Sequence, residues 1–157
     1  MQTPPETRAQ ELKLTFPQLP KPVAKYKPAV LHGDLLYVSG HLPIQGDGKP
    51  ITGRLGAELT LEQGVQAARQ CALAVLTTVR NTLGSLNRVK RLIKTMGLVN
   101  CTPGFTDQPK VINGFSELMA EVFGEDNGVG ARSAFGAISL PLNAAVEVEC
   151  VFEVSGS

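Results

Sequence analysis

The sequence predicts an α+β fold, one sheet carrying two helices on one face, with elements in the order β-β-α-β-α-β-β. Three observations predict it. Residues 146–154 alternate, with Val146, Val148, Cys150, Phe152 and Val154 set against Glu147, Glu149 and Glu153, which is the two-residue period of a half-buried strand. Residues 60–83 and 108–123 instead repeat apolar side chains at helical spacing. The chain of 157 residues holds no internal repeat or low-complexity tract, and its length suits one domain with a proper core.

Taken in order, residues 1–22 form a polar, proline-punctuated lead, read as an N-terminal arm docked on a single domain of residues 23–157. Pro4-Pro5 before ETRAQELKL predicts a short helix with Pro5 near its first turn. Pro17, Pro20 and Pro22 then force extended chain. Tyr26 to Leu31 and Leu35 to Ser39 read as strands around a His32-Gly33-Asp34 turn, with Leu35, Tyr37 and Ser39 on one face and Leu36 and Val38 on the other. Gly40 marks a bulge or a close backbone approach, and Gly46 to Gly56 a surface loop.

The clearest helix follows. Thr60 and Gln63 form a capping pattern, Leu61, Val65, Ala68, Ala72, Val75, Val79 and Leu83 line one side, and Gly84 is a stop. Val89 to Asn100 reads as a strand with a basic outer row. RVKRLIK has no interleaved aromatics, so it suits a solvated edge better than a nucleic-acid patch. A second helix covers Gln108 to Phe123, capped by Thr106 or Asp107, with Pro109 in its first turn and a stripe of Val111, Phe115, Leu118, Met119 and Val122. Glu125 to Gly130 is a loop. Ala131 to Val154 then reads as a hairpin of two strands joined at Leu140-Pro141-Leu142-Asn143.

In that hairpin Phe135, flanked by Ser133 and Ala137, is expected to join the core row, and a slip of one residue would flip every side chain. This register places Arg132 on the same sheet face as Glu147 and Glu149. The face would also carry Ile138, Ala145 and Val151, a mixture too apolar to be wholly solvated, so it is expected to meet another subunit.

A net charge of +1 argues against a dedicated nucleic-acid or membrane-surface binder. No apolar stretch is long enough to span a bilayer, and the N-terminus lacks a signal-type apolar segment. Cys71, Cys101 and Cys150 are odd in number and have no C-x-x-C spacing, which fits a reducing cytoplasm without structural zinc; only Cys101, near a loop, is a candidate for reactivity. His32 and His41 have no metal-ligand partner at short spacing, and His41 is a weak candidate for a general base. No nucleophile elbow, P-loop or dinucleotide fingerprint is present.

Arg132 with Glu147 is the pair that could carry chemistry. A guanidinium is the natural receptor for a carboxylate, and a nearby carboxylate can orient water or move a proton. An interface ion pair explains the same two residues without any chemistry. Tyr26 and Ser39 are hydroxyls near strand ends, each as readily structural.

Three segments, LLYVSGHLPI at 35–44, VINGFSELMAEVFG at 111–124 and ARSAFGAISLPLNAAVEVE at 131–149, resemble the Rid (reactive intermediate deaminase) or YjgF family. The last is similar to that family's C-terminal signature, an R-S pair before a Leu-Pro turn and a V-E-I-E type strand. The resemblance implies a chorismate-mutase-like fold, a homotrimeric barrel with helices outside, and sites in the clefts between subunits. It implies cofactor-free hydrolysis of reactive enamines and imines to 2-keto acids and ammonia. By the same resemblance Arg132 would hold the substrate carboxylate and Glu147 the attacking water, while Tyr26, Ser39, Asn113 and Ala134 would line the cleft. The partners implied are a small carboxylate substrate and two further copies of the chain, with no nucleic acid and no membrane.

Three departures qualify the resemblance, the first being the N-terminal arm, an addition to the compact family core. Ala134 stands where many active members have cysteine, and Gly136 where the residue is often acidic, so the cleft is expected to be enlarged or closely approached by a neighbour. A trimer that binds a small carboxylate without hydrolysing it is the alternative. An endoribonuclease activity lacks both a catalytic His or Lys set and the charge to attract RNA.

Overall fold

In a computed structural model, which describes residues 1–156, the strands are β1 (Ala29–His32), β2 (Leu35–His41), β3 (Val89–Asn100), β4 (Ala131–Ala137) and β5 (Val146–Val154). The helices are α1 (Pro5–Glu11), α2 (Leu61–Leu83), α3 (Gln108–Phe123) and α4 (Glu125–Gly128). Both long helices start and stop for local reasons. Thr60 and Gln63 close a reciprocal capping box on α2, and Gly84 ends it in the left-handed conformation with φ 84°. Asp107 sits at the N-cap of α3 but makes no side-chain cap bond, so Pro109 in the first turn is what favours that start. The chain 125–130, expected as a loop, contains the single helical turn α4.

The sheet order is β1-β2-β5-β3-β4. Four strands pair antiparallel, whereas β4 pairs parallel to β3, from Lys94 opposite Ala131 to Asn100 opposite Ala137. The 131–154 hairpin is therefore not formed, because β3 lies between β4 and β5. A parallel neighbour needs a crossover, and α3 supplies it between β3 and β4. The Leu140–Asn143 segment is instead a tight turn, with Leu142 and Asn143 both at φ 56°, that starts a crossing to the far side of β3.

The core lies between one sheet face and the helices. Val146, Val148, Cys150, Phe152 and Val154 all point into it, together with Leu36 and Val38 and the α3 stripe of Val111, Phe115, Leu118, Met119 and Val122. The expected register of β5 and of β2 is thus found. That of β4 is inverted. Arg132 is level with Thr95 and Cys150, both buried, and Ala134 with Gly97 and Val148, so these residues face the helices. Phe135 is level with Leu98 and Glu147 on the opposite, open face and is 44% exposed.

The inversion has a steric cause. At Gly97, beside Ala134, an added Cβ would lie 2.6 Å from the side chain of Ile112, so α3 rides too close to this end of the sheet for large residues beneath it. Small side chains go inside and the phenylalanine goes out. Ala145, also expected on the open face, is fully buried where Ile51 and Thr52 fold over the sheet end.

The N-terminal segment packs against the helical layer. Ala9 is buried, Glu6 pairs with Arg80 of α2 at 2.6 Å and accepts the Leu86 N–H at 2.8 Å, and Arg8 donates to the Glu121 carbonyl of α3. Burial alone would push the Glu6 carboxyl up, but Arg80 and the Leu86 N–H outweigh it and hold the group below the usual range. No helix among the described residues is long and apolar enough to cross a membrane.

Candidate functional site

Arg132 is the second residue of edge strand β4, and α3 runs alongside it. Its Nη1 donates to Asn113 Oδ1 at 2.8 Å and Ser116 Oγ at 3.1 Å, and its Nη2 donates to the Pro109 carbonyl at 3.2 Å. Pro109, Asn113 and Ser116 are spaced four and three residues apart, which lines them up on one helix face. All three acceptors are neutral, and no carboxylate among the described residues lies within ion-pairing distance of Arg132. The guanidinium is thus aimed by dipoles while its charge stays uncompensated, and its Nε–H and one Nη2–H have no partner among the described residues.

Asn113 was expected near the site, and it holds the arginine directly. Ser116 and the Pro109 carbonyl were not expected; their helical spacing from Asn113 is the signal that points to them. Ala134 follows Arg132 along the same side of β4, and Gly136 follows Ala134. A Cβ at Gly136 would lie 2.8 Å from Cys101 Sγ and 3.2 Å from Gln108 Nε2. The direction a Cβ would take at Gly136 is therefore already occupied from within the same chain, by Cys101 and Gln108.

Glu147 belongs to a different place. It lies on the open face of β5, half-buried, with its carboxyl against the backbone of Gly40 in β2. A Cβ at position 40 would overlap that carboxyl, so only glycine admits it there. Burial pushes the Glu147 carboxyl above the usual carboxylate range, and Glu149 on the same strand adds to the shift. Arg132 and Glu147, expected on one face, stand on opposite faces of the sheet.

Ser39 lies beside this region and donates its hydroxyl to the Lys27 carbonyl at 2.6 Å, next in the chain to Tyr26. Tyr26 itself is exposed. A hollow of about 270 Å³ opens on the same face, lined by Val30, Tyr37, Ser39, Lys94, Met96 and Glu149. A larger open hollow of about 640 Å³ lies between the first residues of the chain and α3 and reaches Ser116, but neither Arg132 nor Glu147 lines it.

His41 is buried, with Nδ1 2.6 Å from the Ser39 carbonyl and Nε2 2.6 Å from Thr78 Oγ1; burial lowers its pKa. It faces the core, not the open face that carries Glu147. Cys101 is also buried, and burial raises the pKa of Cys71 and Cys150, so none of the three thiols is an exposed nucleophile. No group of three or more His, Cys, Asp or Glu among the described residues could hold a metal ion.

Residues 6–154 match the family described as "YjgF/chorismate mutase-like, putative endoribonuclease". The chain belongs to the YjgF/Rid family. Its mixed sheet-and-helix architecture is that of the YjgF/chorismate-mutase-like fold. The match begins inside α1. "Protein TCP17" of Trypanosoma cruzi is 44% identical over 146 residues, covering 93% of this chain and 91% of that protein. The structure of Atu1372 from Agrobacterium tumefaciens, a protein described as of unknown function, is 41% identical with a TM-score of 0.87, covering 97% of this chain and 94% of its own. A structure from Shewanella oneidensis, described as "a putative endoribonuclease", is 29% identical with a TM-score of 0.91, covering 97% of this chain and all of its own. Both structural matches extend over nearly the whole YjgF/Rid chain.

Proposed function

We propose that this YjgF/Rid protein hydrolyses reactive enamines and imines of small carboxylic acids to 2-keto acids and ammonia, without a cofactor, at sites shared between subunits of a homotrimer in the cytoplasm. The observation that carries the reading is Arg132, a guanidinium held in place by three neutral acceptors and matched by no carboxylate of its own among the described residues. Such a group is built to receive an anion, and its open N–H edge suits the two oxygens of a carboxylate.

The second half of the reaction is the work of Glu147. As a carboxylate it takes a proton from water as the oxygen attacks the imine carbon and returns it to the nitrogen, giving the carbinolamine; it then takes the hydroxyl proton and passes it to the amine as the C–N bond breaks, releasing keto acid and ammonia. A raised pKa suits a group that must both accept and give back a proton. The imine carbon is already electrophilic, so orienting the substrate and one water supplies much of the acceleration. Tyr26, Ser39 and Asn113 line the cleft in this reading, with Ala134 beside the carboxylate.

Because Arg132 and Glu147 face opposite ways in one subunit, a second copy must supply one of them. Val30, Tyr37 and Phe135, exposed on the open face, form the kind of apolar surface that another subunit covers. A coupled assay that generates 2-aminoacrylate, with wild type against Arg132→Ala, tests the reading. Keto-acid release is expected to exceed the uncatalysed rate for wild type alone. Equal release at the uncatalysed rate from both proteins would leave a carboxylate-binding trimer instead. RNA cleavage by the pure protein, lost in Arg132→Ala, would favour the endoribonuclease activity named in the family description.

A further inference from the structure

The Ser39–Gly40 segment of β2 breaks the sheet. Val38 is level with Cys150 and His41 with Val148, so three steps along β2 oppose two along β5, and one extra residue is accommodated in a bulge. The bulge brings the Gly40 backbone against the Glu147 carboxyl and turns the Ser39 carbonyl away from the ladder. A carbonyl so placed, half-buried, would be an acceptor without a partner unless a side chain met it. His41 meets it.

The two hydrogen bonds of the imidazole assign its tautomer. A carbonyl only accepts, so Nδ1 carries the proton and donates to Ser39 O. In the neutral ring favoured by burial, Nε2 is then an acceptor, and the Thr78 hydroxyl donates to it. The helix shows that this use of Thr78 is a diversion. Thr77 and Thr82 of α2 donate their hydroxyls to carbonyls one turn back, at Leu73 and Thr78, whereas the Thr78 hydroxyl leaves the helix for the ring. A continuous chain therefore runs from α2 through Thr78, His41 and the Ser39 carbonyl to Gly40, against which the Glu147 carboxyl rests.

We propose that His41, as the neutral Nδ1–H tautomer anchored by Thr78, is the positioning residue for Glu147, clamping the Ser39–Gly40 bulge to helix α2. His41 touches neither substrate nor water in this arrangement; it acts through the backbone. The inference rests on the reading of Glu147 as the water-handling group, but its geometry does not depend on any reaction. The ionisable group that bears on Glu147 is Glu149 on its own strand, and Glu147 in turn adds to the raised pKa of the buried Cys71 thiol on α2, across the sheet.

The test uses the full-length protein with four substitutions. Thr78→Val removes the hydroxyl at constant shape and Thr78→Ser restores it; His41→Leu removes both ring bonds, and His41→Asn keeps a donor near the Nδ1 position. Two quantities are read, steady-state imine hydrolysis and the pH titration of the ¹³C-labelled Glu147 carboxyl. Thr78→Val and His41→Leu are expected to lower kcat by roughly 10- to 100-fold with KM unchanged, since Arg132 is untouched. In both, the Glu147 titration should move down toward the ordinary carboxylate range as water reaches the carboxyl. Thr78→Ser and His41→Asn should restore both quantities.

Folded variants with an unchanged Glu147 titration would overturn the proposal, even if melting temperature or turnover fell. If His41→Leu does not fold, Thr78→Val decides by the same two criteria. If the wild type hydrolyses no imine, the proposed reaction fails, and the titration alone still decides whether His41 places Glu147.

Discussion

Two regions of this protein carry charge in opposite ways. At the β4–α3 edge, Arg132 keeps a full positive charge among neutral acceptors. On the open face at the β2–β5 bulge, Glu147 is half-buried, and burial raises the pKa of its carboxyl. The edge uses helix periodicity, since one face of α3 presents Pro109, Asn113 and Ser116 in a row. The face uses an irregularity, a bulge with a glycine at its tip. The comparison teaches that a regular element suffices to aim a strong, permanently charged group, whereas the raised pKa of Glu147 goes with a local break that half-buries its carboxyl against backbone.

The comparison breaks most sharply if the two regions do not act together. Arg132→Lys keeps the charge and loses the fork, and loss of a charge-assisted pair of about 2–3 kcal/mol corresponds to roughly 30- to 150-fold in kcat/KM. Beyond that, co-assembling inactive Arg132→Ala subunits with inactive Glu147→Ala subunits should return a measurable part of the wild-type activity, because some sites then pair an intact arginine with an intact glutamate. Mixed oligomers, confirmed by mass, that stay inactive would show that the regions do not share a site.

A smaller effect sharpens the account of the edge. Gly136→Ala should destabilise by about 1–3 kcal/mol, the usual result of forcing atoms into filled space, here against Cys101 and Gln108. Denaturant unfolding measures it, and an unchanged midpoint would mean that the site has room after all. The smallest effect lies outside both regions. Glu6 has a lowered folded-state pKa, so its contribution is present above the unfolded value near 4.5 and is lost as pH falls through the lower folded value. Glu6→Gln should cost about 1 kcal/mol at neutral pH and little once the wild-type carboxyl is protonated, as unfolding midpoints across that range would report.

Much of this was legible from the residues in order. Thr60, Gln63 and Gly84 announce the ends of α2 because capping is a matter of a few adjacent residues, and the β5 alternation names its own core row. Asn113 was placed at the candidate site by family resemblance, and the structure brings it against Arg132. Ser116 was passed over because its helical spacing from Asn113 becomes a signal only once Arg132 is known to lie against that face of α3. His41 looked like a weak candidate base, and nothing short of its packing shows it bonded on both sides within the core.

The β4 strand marks the boundary most clearly. Its existence, length and arginine follow from local sequence. Its partner and its facing do not, because both are set by α3, which returns the chain parallel to β3 and crowds Gly97 and Gly136 so closely that Phe135 turns outward. Sequence by itself determined the two long helices and the strands, the capping of α2, the core rows of α2, α3 and β5, and the family, since these depend on neighbours a few residues apart. Tertiary structure alone decided strand order, the opposite facing of Arg132 and Glu147, and the clamp at His41. Each of those depends on excluded volume and hydrogen bonding between segments far apart in the chain.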